Sequence, residues 1–275
     1  MSQETRVKIE ELRHDLRQLE SQGELVSLQH ALARLDELEQ CVEADQEHNR
    51  WFISHVSHEL RVPMTSILGY ADLLRKGIFG SMNEQQLGFL TVIRNNVERM
   101  ATLISDLSDL SKAESGSLRL ERAEVSLKPV IEEVARNLQP IVAEKNQVFE
   151  IDLPGDLPQV YADARRLAQV LARLLNNASR YTSEAGKITL RVSHQPPALR
   201  LYVADTGIGV SPDDQARLFS QFFRSEHAYV REQPGWGLSL SVAKVLVEHM
   251  GGAMGATSTL GKGSEFWFTL PVSEG

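Results

Sequence analysis

The sequence is short of several things, and each shortage removes a class of protein. A single cysteine, Cys41, allows neither an internal disulfide nor a cysteine-built zinc cage, and it suits a reducing compartment such as the cytoplasm. No run of ~18 apolar residues occurs, so no membrane-spanning helix is encoded. The opening MSQETRVKIEELRHDL mixes charges without an apolar block, which predicts no signal peptide. Basic residues are outnumbered, 29 Lys and Arg against 37 Asp and Glu, for a formal net charge of −8. Sequence-independent nucleic-acid binding, which needs a basic footprint, is therefore not expected. Neither G-x-x-x-x-G-K-[ST] nor G-x-G-x-x-G is present, which excludes a Walker or Rossmann nucleotide site. What remains is a 275-residue chain of globular balance, 42% hydrophobic and 24% charged. That length suits one large domain or two modest ones.

Residues 1–50 carry little punctuation. Ile9, Leu12, Leu16 and Leu19 step by three and four, and a second series, Leu25, Leu28, Leu32, Leu35, Leu38 and Val42, follows Gly23. This is the seam of a coiled coil with a break at Gly23, or else an amphipathic helix packed on its own chain. A further stripe, Ile53, Val56, Leu60, Met64, Ile67, Ala71 and Leu74, runs to the turn cluster GIFGSMN at 77–83. Another, Ile93, Val97, Met100, Ile104 and Leu107, ends at the Glu-Ser-Gly-Ser of 114–117. Two such helices form a hairpin over residues 51–116 with too little core of its own, which predicts a homodimer paired as a four-helix bundle. Beyond about residue 117 short β-rich runs appear at Leu118–Leu120, Val148–Leu153, Lys187–Ser193, Leu199–Ala204 and Ser264–Leu270. Helical stretches lie between them at 127–145, 163–181 and 238–250. The expected architecture is α plus α+β: coiled coil (1–50), helical hairpin (51–116), then an α/β sandwich (117–272).

His58 sits in SHELRVP, two residues from both Val56 and Leu60, and so points away from the apolar stripe. A surface histidine on a helix is ordinarily inert. Two neighbours distinguish this one. Glu59 is a carboxylate able to hold the imidazole and take its proton. Pro63 removes the N–H that would bond the Glu59 carbonyl, which predicts a bend beside the histidine. His55 and His58 are three apart, but no third ligand at suitable spacing completes a metal site.

The segment FISHVSHELRVPMTSILGYADLL, residues 52–74, closely resembles the phospho-acceptor box of sensor histidine kinases. The resemblance implies that His58 is the phosphorylated nucleophile and Glu59 its general base. Four more boxes follow in the order that family shows. In RLLNNASRYT (173–182), Arg173, Asn177, Arg180 and Tyr181 share one helix face while Leu167, Val170, Leu171, Leu174 and Ala178 face inward. An amide oxygen suits Mg²⁺ and a guanidinium suits phosphate, though a solvated polar face would look the same. The resemblance implies Asn177 as the Mg²⁺ ligand and Arg180 as a phosphate contact. In DTGIG (205–209), Gly207 and Gly209 permit a sharp turn, and Asp205 supplies an acceptor; a simple strand-ending turn reads alike. The resemblance implies that Asp205 reads the adenine amine. LFSQFFR (218–224) is an aromatic cluster that anchors a lid or fills a core, with Arg224 near the phosphates. GWGLSL (235–240) brings Gly235, Gly237, Leu238 and Ser239 to a helix start, where exposed N–H groups favour phosphate. GKGSEFWFTLP closes the series at 261–271.

Together the boxes resemble the ATP-binding domain shared by histidine kinases, gyrase-type topoisomerases and Hsp90 chaperones, with a short mobile lid between Arg224 and Gly235. The resemblance implies a homodimeric, cytoplasmic kinase using ATP and Mg²⁺. His58 would take the γ-phosphoryl group and pass it to an aspartate of a response-regulator receiver domain. With no sensor domain evident, the stimulus would come from a separate upstream sensor protein or from sequence outside this chain. The rival is a non-catalytic phosphotransfer or scaffold module with a decayed ATP site. Two departures from the family pattern bear on that choice. Arg173 replaces the usual first Asn of its box, and either bonds phosphate or swings outward. Ser239 replaces a common glycine. A third departure, Val62 four residues after the histidine, stands where relatives carry a polar residue that orients water. Valine cannot hydrogen-bond, so dephosphorylation of a phosphorylated regulator by this protein is expected to be weak or absent, and a robust rate in a regulator-dephosphorylation assay would contradict that.

Overall fold

The computed structural model describes residues 56–57, 59–78 and 80–273. The coiled coil read over 1–50, Ile53 at the head of the first stripe, and His58 lie outside the described residues. The chain divides into two compact units with the boundary between Ser111 and Lys112.

The first unit is a helical hairpin. Helix α1 (59–75) runs unbroken through Pro63, and the Thr65 and Ser66 hydroxyls donate to the carbonyls of Arg61 and Val62 at 2.9 and 3.2 Å. Its end is closed by Gly77, at φ 71°, whose N–H donates to the Leu74 carbonyl at 3.0 Å. Helix α2 (Glu84–Glu114) opens with a reciprocal cap: Asn83 Oδ1 accepts the Gln86 N–H, and Gln86 Oε1 accepts the Asn83 N–H, each at 2.9 Å. Met64, Val97 and Ile104 form the seam, with Leu68 and Ala101 packed on it. The stripes read from sequence differ from this seam at several places. Leu68 rather than Ile67 packs on the Met64, Val97 and Ile104 cluster. Ile67, Ile93 and Met100 are all exposed.

In the second unit, five strands form one sheet in the order β2-β4-β5-β7-β6: β2 (Val148–Asp152), β4 (Lys187–Gln195), β5 (Ala198–Asp205), β6 (Met254–Thr259) and β7 (Gly263–Pro271). Only β2 and β4 pair in parallel; the other neighbours are antiparallel. A separate antiparallel pair joins β1 (Ala123–Val125) to β3 (Val160–Ala162). Alternation sorts the main sheet. Ile188, Leu190, Leu199, Leu201, Val203, Phe268 and Leu270 are fully buried on one face, in register as Leu199 against Leu270 and Leu201 against Phe268. On the other face Arg191 lies over Tyr202 and Arg200 over Trp267, at 4.4 and 4.2 Å from the ring centroids. Three helices supply the second layer: α3 (Leu127–Glu144), α4 (Ala164–Tyr181) and α7 (Ser239–His249). Helix α4 lies between the other two, in contact with both and with β4 and β5. The short helices α5 (Pro212–Gln215) and α6 (Ala228–Glu232) lie in the connection to α7.

The strand expected at Leu118–Leu120 is absent. The Ser117 and Leu118 N–H groups both donate to the Lys112 carbonyl around Gly116, at φ 67°, so these residues finish α2. Pairing begins only at Ala123, opposite Ala162. No described helix is long and apolar enough to cross a membrane. Leu174 on α4 is 1% exposed, at the centre of the layer. Leu174→Ala is expected to lower unfolding stability by about 2–5 kcal/mol, read from urea titration.

Candidate functional site

Helix α4 carries the first group of site residues. Asp163 caps its start: Oδ1 accepts the Arg166 N–H at 3.1 Å and Oδ2 accepts the Glu121 N–H at 3.0 Å. The apolar positions Leu167, Val170, Leu171, Leu174 and Ala178 are buried, which turns Arg173, Asn177, Arg180 and Tyr181 to the partly exposed side. Arg173 is half-buried, one turn before Asn177. The helix stops where the Thr182 N–H returns to the Ala178 carbonyl at 3.0 Å.

The 205–209 turn leaves β5 and closes on that helix end. The Ile208 N–H donates to the Tyr181 carbonyl at 3.2 Å. A Cβ at Gly207 would stand 2.3 Å from the same oxygen, so glycine is obligatory for this approach. Gly209, at φ 67°, presses against Thr259, whose carbonyl oxygen would be 2.0 Å from a Cβ. Between them the Asp205 carboxylate accepts the Gly207 N–H at 2.8 Å. Burial raises the Asp205 carboxyl to about 6, against the opposing pull of hydrogen bonds from the Gly207 and Ser264 N–H groups. It is therefore mostly ionised at neutral pH.

The 224–235 segment lies across the same helix end. The Arg224 guanidinium donates to the carbonyls of Val230, Gln233 and Gly235, binding the segment to itself. Arg180 Nη1 donates to the Pro234 carbonyl at 3.0 Å, and the Tyr229 hydroxyl donates to the Arg180 carbonyl at 3.2 Å. Gly237, at φ 72°, lets the chain pass Phe222 and Phe223, and Leu238 then drops into the core, 2% exposed. Helix α7 starts at Ser239, whose Oγ accepts Asn177 Nδ2 at 3.4 Å. Serine thus enters the first turn of α7 without breaking it. Of the aromatics in 218–224, Phe219 and Phe223 are half-buried under Lys244 and Arg217, while Phe222 is exposed with φ 61°. The cluster lies at the root of the segment, not in the core.

The structure therefore gathers Asn177, Arg180, Tyr181, Asp205, Gly207, Gly209, Arg224, Gly235, Gly237, Leu238 and Ser239 around one helix end. Glu59 lies near the start of α1 in the other unit and is exposed. Several participants were missed from sequence. Tyr229 and Pro234 lie in a segment that sequence offers only as a loop, and Thr259 contributes backbone alone. Lys145 and Gln147 look like ordinary polar residues before a strand. Only their place after a helix end, with Asn146 between them, marks them out.

The α/β sandwich that holds this glycine turn and flap belongs to a class that the sequence matches identify. Residues 162–274 match the family model described as histidine kinase-, DNA gyrase B-, and HSP90-like ATPase. Residues 49–116 match the His Kinase A (phospho-acceptor) domain. The sensor histidine kinase GacS of Pseudomonas protegens is 32% identical over 98% of this chain and 29% of its own length. The sensor histidine kinase WalK of Bacillus subtilis is 34% identical over 84% of this chain and 38% of its own. Among solved structures, full-length ShkA in complex with AMPPNP aligns with a TM-score of 0.68 at 31% identity, covering 80% of this chain and 46% of that one. The chain belongs to the sensor histidine kinases, and it spans well under half the length of these curated relatives.

A carboxyl whose folded pKa is raised contributes stability that is complete below its unfolded value, 3.8, and is lost as the pH rises through about 6. Asp205 therefore costs stability at neutral pH. Asp205→Asn is expected to raise the thermal midpoint relative to wild type at pH 7.5 and by less at pH 4.5. It should also weaken nucleotide binding about tenfold or more; equal differences at the two pH values would refute the assignment.

Proposed function

We propose that this chain is an ATP-dependent histidine protein kinase that phosphorylates His58 and hands the phosphoryl group to an aspartate of a response-regulator receiver domain. The observation that carries the reading is the turn seated on α4. Gly207 lies close enough to the Tyr181 carbonyl that no side chain fits, and this leaves the half-buried Asp205 carboxylate beside a backbone cradle. That arrangement fits the edge of an adenine, with Asp205 accepting from its exocyclic amine. Arg180 and Arg224 are the cations for the phosphates, and both also hydrogen-bond to carbonyls of the flap. The N–H groups at the start of α7, around Gly235, Gly237, Leu238 and Ser239, add a positive helix end. Arg173, a turn before Asn177, is a further phosphate-side cation.

Asn177 suits Mg²⁺. Its amide nitrogen is directed at Ser239 Oγ, which leaves the carbonyl oxygen, the atom a hard cation takes. When bound, Mg²⁺ supplies charge neutralisation on the phosphates. In the transfer itself the bond from the γ-phosphorus to the bridging β–γ oxygen breaks as a phosphorus–nitrogen bond to His58 forms. ADP departs, and Glu59 takes the imidazole proton. The protein's contribution to such a step is positioning and charge stabilisation.

The assembly we propose is a homodimer. Leu60, Ile67, Ile93 and Met100 leave the hairpin with exposed apolar residues flanking its seam, as half of a four-helix bundle would. In this reading 51–116 is the phospho-acceptor hairpin and 117–272 the kinase domain, working in the cytoplasm on a stimulus from an upstream sensor protein or from sequence outside this chain. Incubating the purified chain with γ-labelled ATP and Mg²⁺ beside His58→Gln tests the proposal. Label that survives base, is lost in acid and is absent from the variant is the expected result. No label on either folded, dimeric protein would overturn it.

A further inference from the structure

We infer that Lys145 and Gln147 are positioning residues for the nucleotide, holding the C-terminal carbonyls of α4 where the turn and the flap must meet them. The inference rests on the ATP-binding reading above and adds to it two residues that lie in none of the sequence boxes.

An α-helix leaves its last carbonyls unpaired and its C-terminal end partly negative. At α4 those carbonyls are satisfied from elsewhere in the chain. Lys145 Nζ donates to the Ser179 carbonyl at 2.8 Å and reaches the Arg180 carbonyl at 3.4 Å. Gln147 Nε2 donates to Ser179 O at 3.0 Å and to Thr182 O at 2.8 Å, and its Oε1 accepts the Ser179 hydroxyl at 2.7 Å. Gln147, Ser179 and Thr182 are all buried, so these bonds have little competition from water. The donors are delivered by the end of another helix. Asn146, at φ 52°, gives its N–H to Ala143 O at 3.1 Å, and the Gln147 N–H goes to Val142 O at 2.8 Å. The terminus of α3 thereby presents two side chains, one on each side of Asn146, to the terminus of α4.

What makes this more than a structural tie is the other use of the same carbonyls. Arg180 O, approached by Lys145, also accepts the Tyr229 hydroxyl of the flap. Tyr181 O, one residue on, accepts the Ile208 N–H and is the atom against which Gly207 is packed. Three successive carbonyls, Ser179, Arg180 and Tyr181, thus connect the clamp, the flap and the Asp205 turn. Lys145 keeps its place although burial first, and the Arg180 cation second, pull its ammonium below the usual lysine range. A neutral apolar residue would avoid both penalties but leave the carbonyls without their cationic donor.

The test compares wild type, Lys145→Met and Lys145→Arg as the intact chain. Isothermal titration with AMPPNP and Mg²⁺ gives the dissociation constant. Hydrogen exchange reads the Ile208 amide, and autophosphorylation gives KM and kcat. Lys145→Met is expected to weaken AMPPNP about tenfold, raise the KM for ATP similarly, leave kcat at saturation within about twofold, and speed exchange at Ile208. Lys145→Arg, which keeps a cationic donor, should restore affinity to within about threefold of wild type. A folded Lys145→Met with wild-type affinity and exchange overturns the inference, as does an arginine variant no better than methionine. Should Lys145→Met not fold, Lys145→Gln, which keeps a donor without the charge, is read for the same quantities with the same outcomes. A wild-type chain that takes up no nucleotide overturns the kinase reading as well; normal wild-type binding beside an unaffected variant overturns the clamp alone.

Discussion

Where helix α4 stops decides everything at the site. Its final turn exposes a short row of carbonyl oxygens, and each draws in a different part of the molecule. Tyr181 O receives the turn after β5, so closely that only glycine fits at 207. Arg180 O receives the flap through Tyr229, and Ser179 O receives donors from the turn between α3 and β2. One residue more or less of helix would rotate these oxygens by about 100° and move them by about 1.5 Å, beyond hydrogen-bond tolerance for all three. Register at one helix end therefore fixes how the Asp205 turn, the flap and the turn after α3 are placed relative to one another.

That constraint explains how much could be read beforehand. The interior of α4 was legible because Leu167, Val170, Leu171, Leu174 and Ala178 keep a 3.6 period. Strands β4, β5 and β7 were legible for the matching reason, since alternate residues meet the same helices. The glycines of 205–209 could be noticed, but what they press against could not, since Tyr181 O and Thr259 O are backbone atoms that any residue supplies. The clamp was invisible for a similar reason. Nothing in Glu-Lys-Asn-Gln distinguishes donors aimed at another helix from donors aimed at water.

The misreadings have local causes. Leu118–Leu120 has the composition of a strand but follows a glycine closure that commits 117 and 118 to α2. Ile67 and Leu68 are adjacent and equally apolar, so a stripe read by eye admits either, and only the partner helix chooses. β3 and β6 were passed over because three-residue and glycine-containing strands carry little periodic signal. Neither the phospho-acceptor histidine nor the N-terminal seam depends on such local choices; both are readings of pattern alone.

The one parallel pairing in the sheet has a further meaning. Strands β2 and β4 can lie side by side only because α4 carries the chain back between them. This is a long-range closure, and such contacts form only after the entropy of the intervening loop has been spent. The helix that bears Asn177 and Arg180 is thus the crossover of a parallel pairing, a slow kind to form. Pairing β2 with β4 and placing the site residues of α4 therefore depend on the same crossover. Any ligand that binds only the folded domain draws the population toward chains in which that crossover is in place, by mass action.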